Sequence, residues 1–232
     1  YDQNKIGDTC KYWIKAQEYI NEEKKIKFFK THNVFGKVNN YDFTNKENSI
    51  GCIYIVRDPR NVITSVKNHY ELDDEKALKW MTNEKQFLYD VEKVKEFGFS
   101  DFQFISSWNM NYKSWKIQKK IPLKIIRYED LSKETYSKFI EILEFINTLT
   151  NNGEKINKLK VKTVLNTTVF DKLKKNEMSS GFIEAIPSQI NKSKKISFFN
   201  LGPKNDWRKI LNKNIQEKLE NSFKNELKEL SY

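Results

Sequence analysis

The sequence predicts an α/β fold, a parallel sheet with helices on both faces in three layers, and three observations carry that reading. Short apolar runs recur at residues 26–29, 52–56 and 123–126, with the length and character of strands buried on both faces. Helical periodicities separate them, and strands alternating with helices argue for parallel pairing. Each run also ends in a polar cluster: Lys30-Thr31-His32, Arg57-Asp58-Pro59-Arg60 and Arg127-Tyr128-Glu129-Asp130. Ligands of open parallel sheets bind at the carboxyl ends of strands, so these clusters are expected to converge on one crevice.

Taken in order, residues 8–22 place Tyr12, Ala16, Tyr19 and Ile20 at helical spacing behind Asp8, the expected N-cap. The first strand, Ile26 to Phe29, stops at Lys30. A polar loop with Gly36 and Asn39-Asn40 leads to the second strand, Cys52 to Val56. Pro59 suits the first turn of a helix, where its missing N–H costs nothing, and Asp58 is a natural cap, so a helix is expected over 59–70. Further helical patterns cover 73–96, 105–118 and 132–149, the last with Phe139, Ile142, Leu143 and Ile146 on one face. The third strand lies in 123–131, centred on Ile125 and Ile126. Residues 178–206 are rich in Ser, Gly and Pro and read as a long irregular loop. A last helix repeats Ile215, Leu219, Phe223 and Leu227 every four residues. No repeat or linker is visible, so residues 1–232 read as a single domain.

Composition narrows the class. With 38% hydrophobic and 14% aromatic residues in 232, disorder is excluded and a core is affordable. No run of eighteen apolar residues exists, so no transmembrane helix or membrane partner is expected, and the polar start shows no signal peptide. The net charge of +11 admits nucleic acid, acidic membrane or phosphorylated small molecules. Lysines are spread over every segment, however, so compositional bias explains the charge as well as a binding stripe does. Cys10 and Cys52 lack metal-ligand spacing and read as reduced, structural thiols of a cytoplasmic protein. Sequons at Asn166 and Asn191 are frequent by chance in an Asn-rich chain.

The corners suggest chemistry. A helix starting at Pro59 aims free N–H groups and its positive dipole end at the crevice, Arg57 stands just before it, and Ser65 lies in its second turn. A guanidinium fork, a hydroxyl and a helix terminus together can hold a phosphate. The competing reading pairs Arg57 and Arg60 with Asp58 and a neighbouring carboxylate. His32 follows a strand end two residues after Lys30, whose charge would keep the imidazole neutral, as a general base requires. A structural histidine is the alternative, and His69 in its helical context fits it.

The order of motifs resembles the sulfotransferase family that uses 3′-phosphoadenosine 5′-phosphosulfate. FFKTHN resembles the strand carrying the family's Lys-Thr-His, which implies that His32 takes the acceptor's proton while Lys30 steadies the sulfonate. YIVRDPRNVITSVKNHY resembles the 3′-phosphate motif, whose Arg and Ser, eight residues apart, fall on Arg57 and Ser65. SSWNMNYKSW is similar to the family's Gly-Ser-Trp…Trp segment, and IIRYEDL to the strand whose tyrosine, here Tyr128, contacts the adenine region. TTVFDKLKKN is similar to the family's Thr-Ser-Phe-x-x-Met-Lys segment, which implies that Thr168 and Phe170 lie near the adenine, and NLGPKNDW resembles its Arg-Lys-Gly-x-x-Gly-Asp-Trp loop, placing Gly202, Asp206 and Trp207. Each motif alone is weak, but six in family order span residues 28 to 207.

The resemblance implies a nucleotide-kinase-like layout and in-line sulfuryl transfer to a hydroxyl or amine of a small-molecule or glycan acceptor. It implies no metal and no nucleic-acid partner, and it leaves the oligomeric state open. Three departures stand out. The family's first strand and its Pro-Lys-Ser-Gly-Thr-Thr-Trp phosphate loop have no counterpart here, which implies an N-terminally truncated chain. The family's Arg-Lys before the loop glycine is Asn200-Leu201 here, leaving Lys194, Lys195 or Lys204 as candidate replacements, and Asn33 stands where many relatives carry an apolar residue. A non-catalytic anion- or nucleic-acid-binding protein and a Golgi-type carbohydrate sulfotransferase are the competing readings.

Overall fold

The computed structural model describes residues 7–89 and 102–232. The helix expected over 73–96 spans only Asp74–Thr82, because a turn and a short strand at Phe87–Leu88 follow it, and residues 90–96 lie outside the described residues. A 3-10 turn, Asp8–Tyr12, runs into α1 (Trp13–Asn21), followed by the antiparallel pair β1 (Lys37–Val38) and β2 (Tyr41–Asp42). Next come β3 (Cys52–Val56), α2 (Pro59–Tyr70), α3 (Asp74–Thr82) and β4 (Phe87–Leu88), which pairs antiparallel with β5 (Gln103–Phe104). Then follow α4 (Trp108–Ile117), β6 (Leu123–Arg127), α5 (Tyr128–Lys133), α6 (Thr135–Thr150), α7 (Lys158–Thr167) and α8 (Phe170–Ser180). A small hairpin, β7 (Ile186–Pro187) with β8 (Lys195–Ile196), and a 3-10 turn at Gly202–Lys204 lead to α9 (Trp207–Ile210), α10 (Lys213–Ser222) and α11 (Lys224–Glu229). The central sheet among the described residues is the parallel pair β3 and β6. No helix of the described residues is long and apolar enough to cross a membrane.

The chain groups into two compact units, residues 1–54 with 80–124 and residues 55–79 with 125–232. In the first, Trp13 packs edge-on to Phe43 at 5.4 Å, and Phe35 lies 5.2 Å from the ring of Trp115. Cys10, Val34, Met81, Tyr112, Trp115 and Ile121 are buried there. In the second, α9 and α10 pack on α2. Ile63, Ile215, Leu219 and Phe223 are buried there.

Local chemistry explains the helix ends. Asp58 caps α2, its Oδ1 accepting from Arg60 N at 2.9 Å, with Pro59 at the first position. The helix closes at Glu71, left-handed at φ 50°, where Leu72 N donates to Lys67 O at 3.0 Å, the six-to-one bond of a Schellman end.

Four further expectations need correction. Ile26 to Phe29 forms no ladder and is exposed, Phe28 by 72% and Phe29 by 68%. An apolar run fixes strand propensity, but a strand also needs a partner edge, and none of the described residues supplies one. The helix expected over 8–22 opens as a 3-10 turn with Gly7, not Asp8, at the cap position. The 178–206 loop is irregular for most of its length but also holds the end of α8, a hairpin and a 3-10 turn. The last helix breaks at Phe223 (φ −120°, ψ 22°) into α10 and α11. Apolar residues every four positions drift by about 40° per step on a helix of 3.6 residues per turn. The break resets that drift and keeps Phe223, Leu227 and Leu230 buried.

Candidate functional site

In the second unit β3 and β6 end side by side, so Arg57 and Tyr128 leave adjacent strand ends. The Arg57 guanidinium carbon lies 4.4 Å from the centre of the Tyr128 ring. Its Nη2 donates a long bond, 3.4 Å, to the carbonyl of Gly202. Its Nε is buried with no partner among the described residues, an arrangement that costs free energy unless a ligand oxygen completes it. Around it opens a pocket of about 250 Å³ with Arg57, Asn61, Tyr128, Glu129, Lys133 and Gly202 in its walls. Complete small-molecule sites usually enclose about 300–1,000 Å³, so this pocket suits one end of a larger ligand.

The glycine loop is pinned to α2. Asn205 Nδ2 donates to Asn61 O at 3.0 Å and to Thr64 Oγ1 at 2.7 Å, and Trp207 N donates to Asn61 Oδ1 at 3.1 Å. Gly202 sits at φ +54° with the ring of Phe170, from the first turn of α8, directly against it. A Cβ there would meet three ring carbons, Cδ2 at 2.6 Å and the other two closer still. Residues 57, 128, 170 and 202, far apart in sequence, are thus brought together. Ser65 lies one turn beyond Asn61 on α2, exposed and outside the pocket wall. Thr168 ends α7, its hydroxyl donating to Val164 O at 3.2 Å, and is also exposed and outside the wall.

The two arginines of the corner divide their work. Arg60, 7% exposed, grips Asp58 through Nε at 3.0 Å and Nη2 at 2.9 Å, reaches Glu220 at 3.0 Å, and stacks 4.1 Å from the Trp207 ring. Burial opposes its charge, and the hydrogen bonds to Asp58 and Glu220 outweigh that, raising the guanidinium pKa. Ion pairing with Asp58 therefore describes Arg60, while Arg57 is left to face the pocket. Glu129 joins the same corner, its Oε1 accepting from Asp58 N at 3.1 Å. The three proposed replacements for the missing Arg-Lys, Lys194, Lys195 and Lys204, lie outside the pocket wall, whereas Lys133, which sequence reasoning missed, is in it. Its spacing was a usable signal, because Glu129 and Lys133 stand four apart on one helical face.

In the first unit Lys30 and His32 lie on exposed extended chain. The backbone of His32 is held on both sides, its N–H donating to Gln103 Oε1 at 2.7 Å and its carbonyl accepting from Asn111 Nδ2 at 2.9 Å. Asn33, 4% exposed, anchors the next residue: its Oδ1 accepts from Phe104 N at 2.8 Å and its carbonyl from Trp115 Nε1 at 2.9 Å. That accounts for an amide where an apolar residue was expected. Phe35 N donates to Ser114 Oγ at 2.9 Å, so one face of α4 fastens residues 32–35. The signal was present in SSWNMNYKSW, where Asn111, Ser114 and Trp115 share a helical face. Burial pushes the Cys52 thiol up to about 11 and keeps it protonated.

A family model described as sulfotransferase domain matches residues 8–231. Mouse sulfotransferase 1A1 is 24% identical over 162 residues, which cover 70% of this chain and 50% of the relative, so the chain spans about half the length of that curated relative. Among solved structures, mouse sulfotransferase SULT7A1 complexed with PAP superposes with a TM-score of 0.57 at 18% identity, covering 89% of this chain and 69% of that one.

Proposed function

Because the chain belongs to the sulfotransferase domain family, we propose that it serves the transfer of a sulfuryl group from 3′-phosphoadenosine 5′-phosphosulfate to a hydroxyl or amine of a small-molecule or glycan acceptor. The observation that carries the reading is Arg57, with its unpartnered Nε, lying over Tyr128 beside Gly202 and Phe170. In this reading Arg57 holds the donor's 3′-phosphate, with Ser65 one turn along α2 as a further hydroxyl donor. Tyr128 and Phe170 offer ring faces to the adenine, next to Thr168. The nucleotide-kinase-like layout belongs to the same proposal, and the solved relative SULT7A1 is complexed with PAP.

His32 is the proposed base. It takes the acceptor's proton as the acceptor oxygen or nitrogen forms its bond to sulfur, and the bond from sulfur to the bridging phosphate oxygen breaks. The products are the sulfated acceptor and adenosine 3′,5′-bisphosphate. Such general-base assistance contributes about 10²–10⁴ in rate. Lys30 offsets negative charge building on the departing side.

Calorimetric titration with adenosine 3′,5′-bisphosphate tests the donor half. Arg57→Ala is expected to weaken binding at least tenfold, since a charge-assisted hydrogen bond contributes about 1.5–3 kcal/mol and a decade is about 1.4 kcal/mol. Equal affinity in variant and parent overturns the assignment. A transfer assay with radiolabelled donor and a panel of phenols, alcohols and amines tests the other half. His32→Ala should lose turnover while keeping nucleotide affinity, and retained turnover removes His32 from its role.

A further inference from the structure

Resting on the donor reading above, we propose that Lys133 is the second cation of the 3′-phosphate grip, replacing the basic pair absent at Asn200-Leu201. The pocket that contains Arg57 has one other cationic residue in its wall, Lys133. Tyr128 and Glu129 in the first turn of α5 and Ser132 and Lys133 in its last all face this pocket, as i,i+4 neighbours must. One short helix therefore contributes Tyr128, Ser132 and Lys133 to the same pocket wall as Gly202.

The residues that stand where the family has its basic pair are otherwise engaged. Asn200 O accepts from Lys174 Nζ at 2.8 Å, and neither Asn200 nor Leu201 lines the pocket. Lys195 lies in β8 and Lys194 immediately before it. Lys204 closes the 3-10 turn, exposed and outside the wall.

Charge balance supports the assignment. The charged groups in the pocket wall are Arg57, Glu129 and Lys133. One Glu129 oxygen is committed to Asp58 N, yet its negative charge would repel a phosphate if Arg57 acted alone. Lys133 adds a second positive charge to the wall; it lies near enough to Asp130 to help lower that carboxyl's pKa, but Asp130 is gripped by Arg127 at 2.6 Å and Lys133 forms no close ion pair among the described residues. A flexible, exposed ammonium is a point charge suited to a phosphate that Arg57 already orients.

The test compares adenosine 3′,5′-bisphosphate with adenosine 5′-phosphate by calorimetry on the whole 232-residue chain. Lys133→Ala should weaken the bisphosphate about five- to tenfold and leave the monophosphate unchanged, with the gap narrowing at high ionic strength. Lys133→Arg should restore most of the loss, and Lys204→Ala should bind like the parent. If Lys133→Ala binds both nucleotides as the parent does, or weakens both equally, the proposal is overturned. It is equally overturned if Lys204→Ala carries the loss. Those outcomes leave the donor reading standing as long as Arg57→Ala still weakens the bisphosphate; indifference to Arg57→Ala overturns the donor reading itself.

Discussion

Gly202→Ala isolates how the glycine turn is reserved for the Phe170 ring. Two costs add at this position. The backbone sits at φ +54°, where a Cβ crowds its own carbonyl at about 1–2 kcal/mol. The new methyl would also overlap three carbons of the Phe170 ring, and forcing such a ring aside typically costs about 1–3 kcal/mol. A total near 3 kcal/mol lowers the melting temperature of a chain this size by roughly 6–12 °C. Scanning calorimetry on Gly202→Ala, Phe170→Ala and the double variant separates the terms. With the ring removed, Gly202→Ala should cost only its backbone strain, leaving a coupling of about 1–3 kcal/mol between the two positions. If Gly202→Ala costs the same with and without the ring, within about 0.5 kcal/mol, the packing of Phe170 on Gly202 is not what reserves the turn. The same variant should loosen nucleotide binding, because the Gly202 carbonyl accepts from Arg57 Nη2.

Three further outcomes follow from the geometry. Asp58→Asn, which breaks a pair buried on both sides, should destabilise by about 3 kcal/mol, whereas Glu220→Gln, with its partner carboxylate half exposed, should cost less than about 1 kcal/mol in denaturant titration. Asn33→Ala strips the acceptor from Phe104 N and should cost about 1–3 kcal/mol, with faster hydrogen exchange at Phe104 and His32 as its local signature. Glu71 accepts from Ser188 Oγ at 2.7 Å, and also from the Gln189 and Ile190 N–H groups, which hold its pKa below the ordinary carboxylate value. A depressed folded-state pKa means this latch on residues 188–190 is complete above the usual carboxylate range and is lost as the pH falls through the lowered value. Hydrogen exchange at Gln189 and Ile190 should therefore accelerate in acid, and Glu71→Gln should show the faster exchange already at neutral pH.

Much of the Arg57 corner was legible because its causes are local. Asp58 and Pro59 announce the start of a helix through capping and a missing N–H, and α2 runs from Pro59 to Tyr70 as the periodicity required. The apolar strands Cys52–Val56 and Leu123–Arg127 likewise carry their own signal, and the order of short motifs along the chain was enough to indicate the family. The run Ile26 to Phe29 carries the same local signal as those strands and forms no ladder, since pairing belongs to two segments and no single one can encode it. The partition of the corner's arginines was equally invisible. Arg57 and Arg60 flank the same proline, and only packing brings Glu220 and Trp207 to Arg60 while leaving Arg57 beneath Tyr128. Asn33 read as a departure until Phe104 and Trp115 supplied its partners from 71 and 82 residues away. Lys133 gained meaning only when the folded chain set α5 beside the Gly202 turn. Sequence alone determined the elements and the chemistry available at their ends, because caps, prolines and periodicity act within a few residues. Tertiary structure decided which charges are neutralised and which remain open to a ligand, because burial and partnership are properties of residues distant in the chain.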